Sequence, residues 1–149
     1  MAQARLSDAI QDYLRAIFKL ADDGRVKVTT TALAREMGVS AASASAMVKK
    51  LAALGLAEHA PYRGVALSDA GGRVAVEVTR HHRLLELYLA QTLGIAVDDV
   101  HAEADRLEHA LSEELEARID EALGYPTHDP HGDPIPDANL VWPADQESL

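Results

Sequence analysis

Glycines at positions 24, 38, 55, 94 and 124 fall where helical apolar periodicity stops, and they cut the 149-residue chain into helix-length pieces. Leu6 to Ala21 carries Ile10, Leu14, Ile17, Phe18 and Leu20 at helical spacing, with Ser7 placed to cap its N-terminus. Asp22-Asp23-Gly24 breaks that helix, and Val26 to Val28 reads as a short strand. Thr29 to Met37 predicts a second helix with Leu33, Ala34 and Met37 inward. Gly38 ends it and tolerates a left-handed backbone. Val39 and Ser40 form the turn, Val39 filling the space between helices and Ser40 capping a third helix, Ala41 to Leu54, closed by Gly55. Leu56 to Ala60 and Val65 to Leu67 are strand candidates joined by Pro61-Tyr62-Arg63-Gly64, which has turn chemistry. A hairpin after a helix-turn-helix makes a winged helix. Ser68-Asp69 then opens a long helix to about Thr92, Asp98 opens another through His109, and Ser112-Glu113-Glu114 opens a last one that Gly124 and Pro126 end. Thr127 onward is loop composition, and the segment from Asn139 shows no periodicity. The predicted fold is mainly α with a small β-wing: a winged helix-turn-helix domain over 1–74, a helical domain over 75–140 and a tail over 141–149.

Charge divides at the same place. Residues 1–74 hold ten Lys and Arg against seven Asp and Glu, and residues 75–149 hold four against seventeen, so +3 and −13 make up the net −10. A mildly basic front half and a strongly acidic back half read as two jobs. The bland alternative is acidity kept only for solubility. The chain has no cysteine, which excludes disulfides, Cys-zinc sites and a Cys nucleophile and fits a cytoplasmic protein. No apolar run approaches the roughly 20 residues that span a bilayer, and Met1 to Asp8 lacks the pattern of a signal peptide.

Thr31-Ala32-Leu33-Ala34-Arg35-Glu36-Met37-Gly38-Val39-Ser40 has the grammar of a helix-turn-helix. Recognition helices enter the major groove by their N-terminal end, which here carries Ser40, Ala42, Ser43 and Ser45. Small side chains allow close approach; serines bond phosphates or base edges, and alanines touch thymine methyls. Lys49, Lys50 and, from the wing tip, Arg63 are placed to bind phosphate. The competing reading is an ordinary helical bundle with Lys49 and Lys50 as a solvated face. Double-stranded DNA is the favoured partner.

In a helix, His101, Asp105, Glu108 and His109 share one face. Two imidazoles and two carboxylates crowded together call for a cation, and oxygen and nitrogen donors without thiolate suit Mn²⁺ or Fe²⁺. His82 and Glu86 form a further i, i+4 pair on the long helix. Alone, that pair would more often be a surface ion pair, and the 101–109 face could be solvated and paired with Arg106.

Asp12-Tyr13-Leu14, His81-His82-Arg83-Leu84-Leu85-Glu86, Val100 to His109 and Pro134-Ile135-Pro136 together make nearly the whole chain resemble the diphtheria-toxin-repressor and manganese-transport-regulator family. The resemblance implies a metal-activated DNA-binding regulator, most often a repressor, working as a homodimer on a palindromic operator, and it makes the helical domain one for metal binding and dimerisation. It implies that Asp12 is a ligand tying the DNA-binding domain to the second domain. Asp105, Glu108 and His109 match primary-site ligands, and His82, Glu86 and His101 match positions split between a primary and an ancillary site; Glu103 is a weaker match. Iron-type members place Met or Cys at the positions of Asp12 and Asp105, so the carboxylates here favour Mn²⁺, with Fe²⁺ second. Co²⁺ and Zn²⁺ would bind in vitro. Arg15 stands where the manganese branch has a carboxylate, and His101 follows the iron-type pattern, which leaves one or two ions per subunit open. The chain stops before the SH3-like third domain of many members, as a short form or a truncated one. Leu85, Tyr88, Leu89, Leu111, Leu115 and Ile119 are candidates for a dimer surface, unless they serve only the subunit core. The rivals are a winged-helix regulator without metal and a helical metalloenzyme. The one Phe and one Trp speak against an aromatic-lined ligand pocket, and the absence of HExxH or an evident nucleophile speaks against an enzyme.

Overall fold

The structure, a computed structural model, describes residues 6–60 and 64–144. The chain divides into two compact units, Met1–Val76 and Glu77–Leu149.

In the first unit α1 (Asp8–Ala21) buries Ile10, Tyr13, Leu14, Ala16 and Ile17, a stripe set by their spacing of three and four. Ser7 Oγ accepts from the Ile10 amide at 3.2 Å, so the predicted cap is in place. α2 (Thr30–Met37) is capped by Thr29, and Gly38 at φ +68 turns the chain into α3 (Ala41–Ala53), capped by Ser40. Val39 does not fill the space between helices; it is 39% exposed, and Leu33, Ala34, Ala44, Val48 and Leu51 are the buried residues of α2 and α3. β1 (Ala57–Ala60) pairs antiparallel with β2 (Gly64–Leu67), Ala57 opposite Leu67 and Ala60 opposite Gly64. Val28 adds a single bridge to Val65 rather than a full strand, its carbonyl accepting from the Val65 amide at 2.8 Å. That bridge needs Gly64: its φ is +77, and a Cβ there would overlap the Val28 carbonyl oxygen. Pro61, Tyr62 and Arg63 at the wing turn lie outside the described residues.

α4 (Asp69–Leu93) starts in the first unit, where Ser68 Oγ accepts from the Gly71 amide at 3.1 Å and donates to the Gly55 carbonyl at 2.7 Å. In the second unit Leu84 and Leu87 pack on Ile135, while Leu85 packs on Ala104 and Ile119, with Tyr88, Leu111 and Leu123 against them. Of the six residues considered for a dimer surface, Leu85, Leu89 and Ile119 are buried within the unit, whereas Leu115 is 52% exposed. α5 runs from Val97 to Leu107 and gives way to a 3₁₀ turn, Glu108–Ala110; α6 (Glu113–Ala122) follows, capped by Ser112. Arg80 is buried between α4 and α6. It donates to Glu116 at 3.3 Å, to Asp120 at 3.0 Å and to the Pro136 carbonyl at 2.9 Å, which ties the segment after α6 to the helices. Among the described residues no helix is long and apolar enough to cross a membrane.

Candidate metal centre

Two helices and the 3₁₀ turn carry the predicted ligands of the second unit. The one-helix face expected for 101–109 is broken at its end, because α5 stops at Leu107. In the turn that follows, the Glu108 side chain lies inward and is 1% exposed. His82 is the hub. Its Nδ1 lies 2.8 Å from Glu108 Oε2 and 3.3 Å from Asp105 Oδ1. Its Nε2 lies 3.2 Å from Glu86 Oε2 and 3.0 Å from His101 Nδ1. His101 also reaches Glu86 at 3.3 Å and Asp105 at 3.4 Å, and His109 Nε2 stands 3.5 Å from Glu108 Oε1. Glu86 and Glu108 form a buried floor, with the side chains of His101 and Asp105, 61% and 42% exposed, on the open rim. His82 has two ring nitrogens for three carboxylates and a second imidazole. Lone pairs must therefore face one another unless protons or a cation intervene. Glu103 instead pairs with Arg106 at 2.9 Å.

A further group lies in a segment of loop composition. Asp129 and His131 sit on the segment after α6, opposite Glu86. His131 Nδ1 is 3.7 Å from Glu86 Oε1 and 3.7 Å from Asp129 Oδ2. Asp129 Oδ1 accepts from the amides of His131 and Asp133, at 2.9 and 2.8 Å, which shapes the turn and leaves Oδ2 buried without a hydrogen bond of its own. Burial, then the adjacent Glu86 carboxyl, pushes Asp129 above the usual carboxylate range. Burial also raises Glu86, but contacts with His82 and Asp129 and the charges of His82 and His131 prevail and hold it at about 2. Two buried acids in contact share a proton or take a cation.

Among the described residues of the second unit, three sets of ligand atoms thus lie within 4.8 Å of one another: His82–Glu86–His101, His82–Asp105–Glu108 and Glu86–Asp129–His131. All donors are oxygen or imidazole nitrogen, and the orphaned Asp129 oxygen fits a hard or borderline divalent ion. An Asp-Pro-His run beside paired ligands was the available signal for the last set. Nothing in its composition said that the turn would be buried against α4. Asp12 lies half-buried on α1 of the first unit.

Of the predicted DNA-contacting residues, Ser40, Ala42, Ser43, Lys49 and Lys50 are exposed on α3 and at its start, and Ser45 is half-buried. Ser40 Oγ is already engaged by the Ser43 amide and hydroxyl, each at 3.1 Å. Ala46 is also exposed, between Ala42 and Lys49 on the outward stripe, a further small residue beyond the four expected there. Arg63 falls outside the described residues.

Comparison with known proteins covers both units. The family described as iron dependent repressor, N-terminal DNA binding domain, matches residues 5–65; the iron dependent repressor metal binding and dimerisation domain matches residues 68–137. The iron-dependent repressor IdeR of Mycobacterium tuberculosis is 37% identical over 131 residues, 88% of this chain and 56% of IdeR. The chain thus spans little more than half the length of the first curated relatives it matches. An uncharacterized HTH-type transcriptional regulator of Methanocaldococcus jannaschii, MJ0568, is 32% identical over 76% of this chain and 91% of its own length. A solved manganese-dependent transcriptional repressor in complex with manganese superposes with a TM-score of 0.85 at 47% identity, covering 92% of this chain and 63% of that one.

Proposed function

We propose, for a chain that belongs to the iron-dependent-repressor family, that it is a divalent-metal-activated DNA-binding repressor of metal-uptake genes, responsive to Mn²⁺ and acting in the cytoplasm as a homodimer on a palindromic operator. It is a regulator, not an enzyme. The observation that carries this reading is the convergence of His82, Glu86, His101, Asp105 and Glu108 in a unit that follows a winged helix in the chain.

A bound divalent ion supplies positive charge that offsets the mutual repulsion of these carboxylates and accepts the facing imidazole lone pairs. The residues do the rest. Glu86 and Glu108 are held buried by α4 and the 3₁₀ turn, and His82 orients both. Asp12 is the family ligand that resemblance assigns to the set of Asp105, Glu108 and His109. Its engagement fixes α1, and with it the orientation in which α3 is presented. Asp129 and His131 join Glu86 as a further ligand set. On DNA, Ala42, Ser43 and Ser45 approach bases while Lys49, Lys50 and Arg63 meet phosphates, so that two recognition helices address successive major grooves. The domains are then 1–74 for DNA and 75–140 for metal and dimerisation, with 141–149 as tail.

Mn²⁺ is preferred because the ligand set has neither Cys nor Met. Fe²⁺ is the second reading, favoured by His101 and by the likeness to an iron-dependent repressor. The test is a titration of the chain's own upstream DNA with metal-free protein, with EDTA, and with Mn²⁺ or Fe²⁺ restored. Affinity should fall with EDTA and return most fully with Mn²⁺; equal affinity in all conditions overturns the metal switch.

A further inference from the structure

Residues 80, 83 and 86 lie three apart along α4, and each meets the segment that follows α6. Arg80 donates to the Pro136 carbonyl at 2.9 Å and Arg83 to the Pro134 carbonyl at 2.6 Å, while Glu86 faces Asp129 and His131. The segment is stiff between these points. His128 bridges Pro134, the Asp129 amide donates to the Asp133 carbonyl at 2.9 Å, and Asp129 Oδ1 holds two amides. Fixing Pro134 therefore fixes Asp129. The two arginines differ in kind. Arg80 is buried with two carboxylates and belongs to the core, whereas the Arg83 bond lies at the surface. Trp142 covers Arg83, its ring centre 5.9 Å from the guanidinium carbon, at the end of a turn closed by Asp137.

We propose that Arg83 is a positioning residue for the Glu86–Asp129–His131 set: with Trp142 over it, Arg83 straps the 128–136 arm to α4 at the spacing where Asp129 and His131 can share an ion with Glu86. This rests on the metal-binding reading above. A charged donor on a carbonyl makes a strong bond, and partners that orient ligands typically set metal affinity by about tenfold to a hundredfold.

The test is Mn²⁺ binding by the full chain, followed by electron paramagnetic resonance of the free ion and by the emission of Trp142, the sole tryptophan. Asp129→Asn marks the binding event that belongs to this set. Arg83→Met should weaken that event about tenfold or more. It should leave binding at the His82–Asp105–Glu108 set and the metal-free melting temperature close to wild type, and abolish the Mn²⁺-dependent change in Trp142 emission. Arg83→Lys, which keeps a charged donor, should recover part of the affinity. Unchanged affinity in Arg83→Met overturns the strap, as does an equal loss at every event together with a lower melting temperature, which is the mark of a merely structural residue. A wild-type chain that takes no Mn²⁺, or an Asp129→Asn chain that takes all the wild type does, overturns the metal reading of the set itself, and the strap with it.

Discussion

Glu86 belongs to two ligand sets at once, and its carboxyl and that of Asp129 shift in opposite directions, Asp129 upward by burial and then by Glu86, and Glu86 downward through His82, Asp129 and His131 against its own burial. Asp129 is raised, so between its unfolded value near 3.9 and its higher folded value the folded chain holds a proton that the unfolded chain has lost. Stability of the metal-free protein falls as pH rises through that window and stays lower above it. Glu86 works the other way. Its contribution is complete above the ordinary carboxylate value and is lost as pH falls toward about 2. Asp129→Asn keeps the oxygen that accepts the His131 and Asp133 amides but removes the charge. Metal-free Asp129→Asn should therefore melt higher than wild type at pH 7, with a smaller rise on adding Mn²⁺; thermal melts across pH with and without the ion check both. A lower metal-free melting temperature would mean that the charge stabilises the fold. Arg80 sits in a different regime. Arg80→Met leaves Glu116 and Asp120 without their buried cation, and denaturant unfolding should show a loss of about 3–5 kcal/mol.

The elements show where periodicity stops being a guide. Each cap drawn from Ser7, Ser40 and Ser112 is occupied by its own helix, because a hydroxyl three residues before an amide is local chemistry. The end of α5 is not local: the change to a 3₁₀ turn at Glu108 accompanies its burial beside His82, and no spacing rule foretells it. Close approach is just as silent in sequence. A Cβ on Gly71 would overlap the Leu56 carbonyl where α4 starts beside the wing. Gly71→Ala should destabilise the chain by about 1–3 kcal/mol in denaturant melts, and it should do so equally with and without metal. On α3, Lys49 is exposed beyond the small-residue stripe. Lys49→Ala should weaken binding to every DNA sequence alike and flatten the salt dependence by about one unit in log–log slope; a change confined to one sequence would make it a base reader instead.

At the scale of the whole molecule, the proposed switch is a linkage between two ligands. If Mn²⁺ raises DNA affinity by some factor, DNA raises Mn²⁺ affinity by the same factor. Metal titrations with and without operator DNA should agree with DNA titrations with and without metal, and a one-sided effect would break the scheme. Much of the molecule was legible from residues alone. The winged helix, the order of helices, the opposite charge of the two halves, the 101–109 ligand face and the His82–Glu86 pair follow from spacing, turn chemistry and ligand type, while family resemblance is what joined that pair to that face. These are properties of neighbours along a chain or around one helix. Asp129 and His131 were not legible, since a loop reads alike whether it faces water or lies across α4, and Val39 went the other way, expected inside and found exposed. Sequence by itself determined the order of the elements and which residue types stand at ligand spacing along one helix. Tertiary structure alone decided which of those side chains are buried together, because burial depends on contacts between segments some 20 to 45 residues apart, as His82 with Glu108 and Glu86 with His131 show.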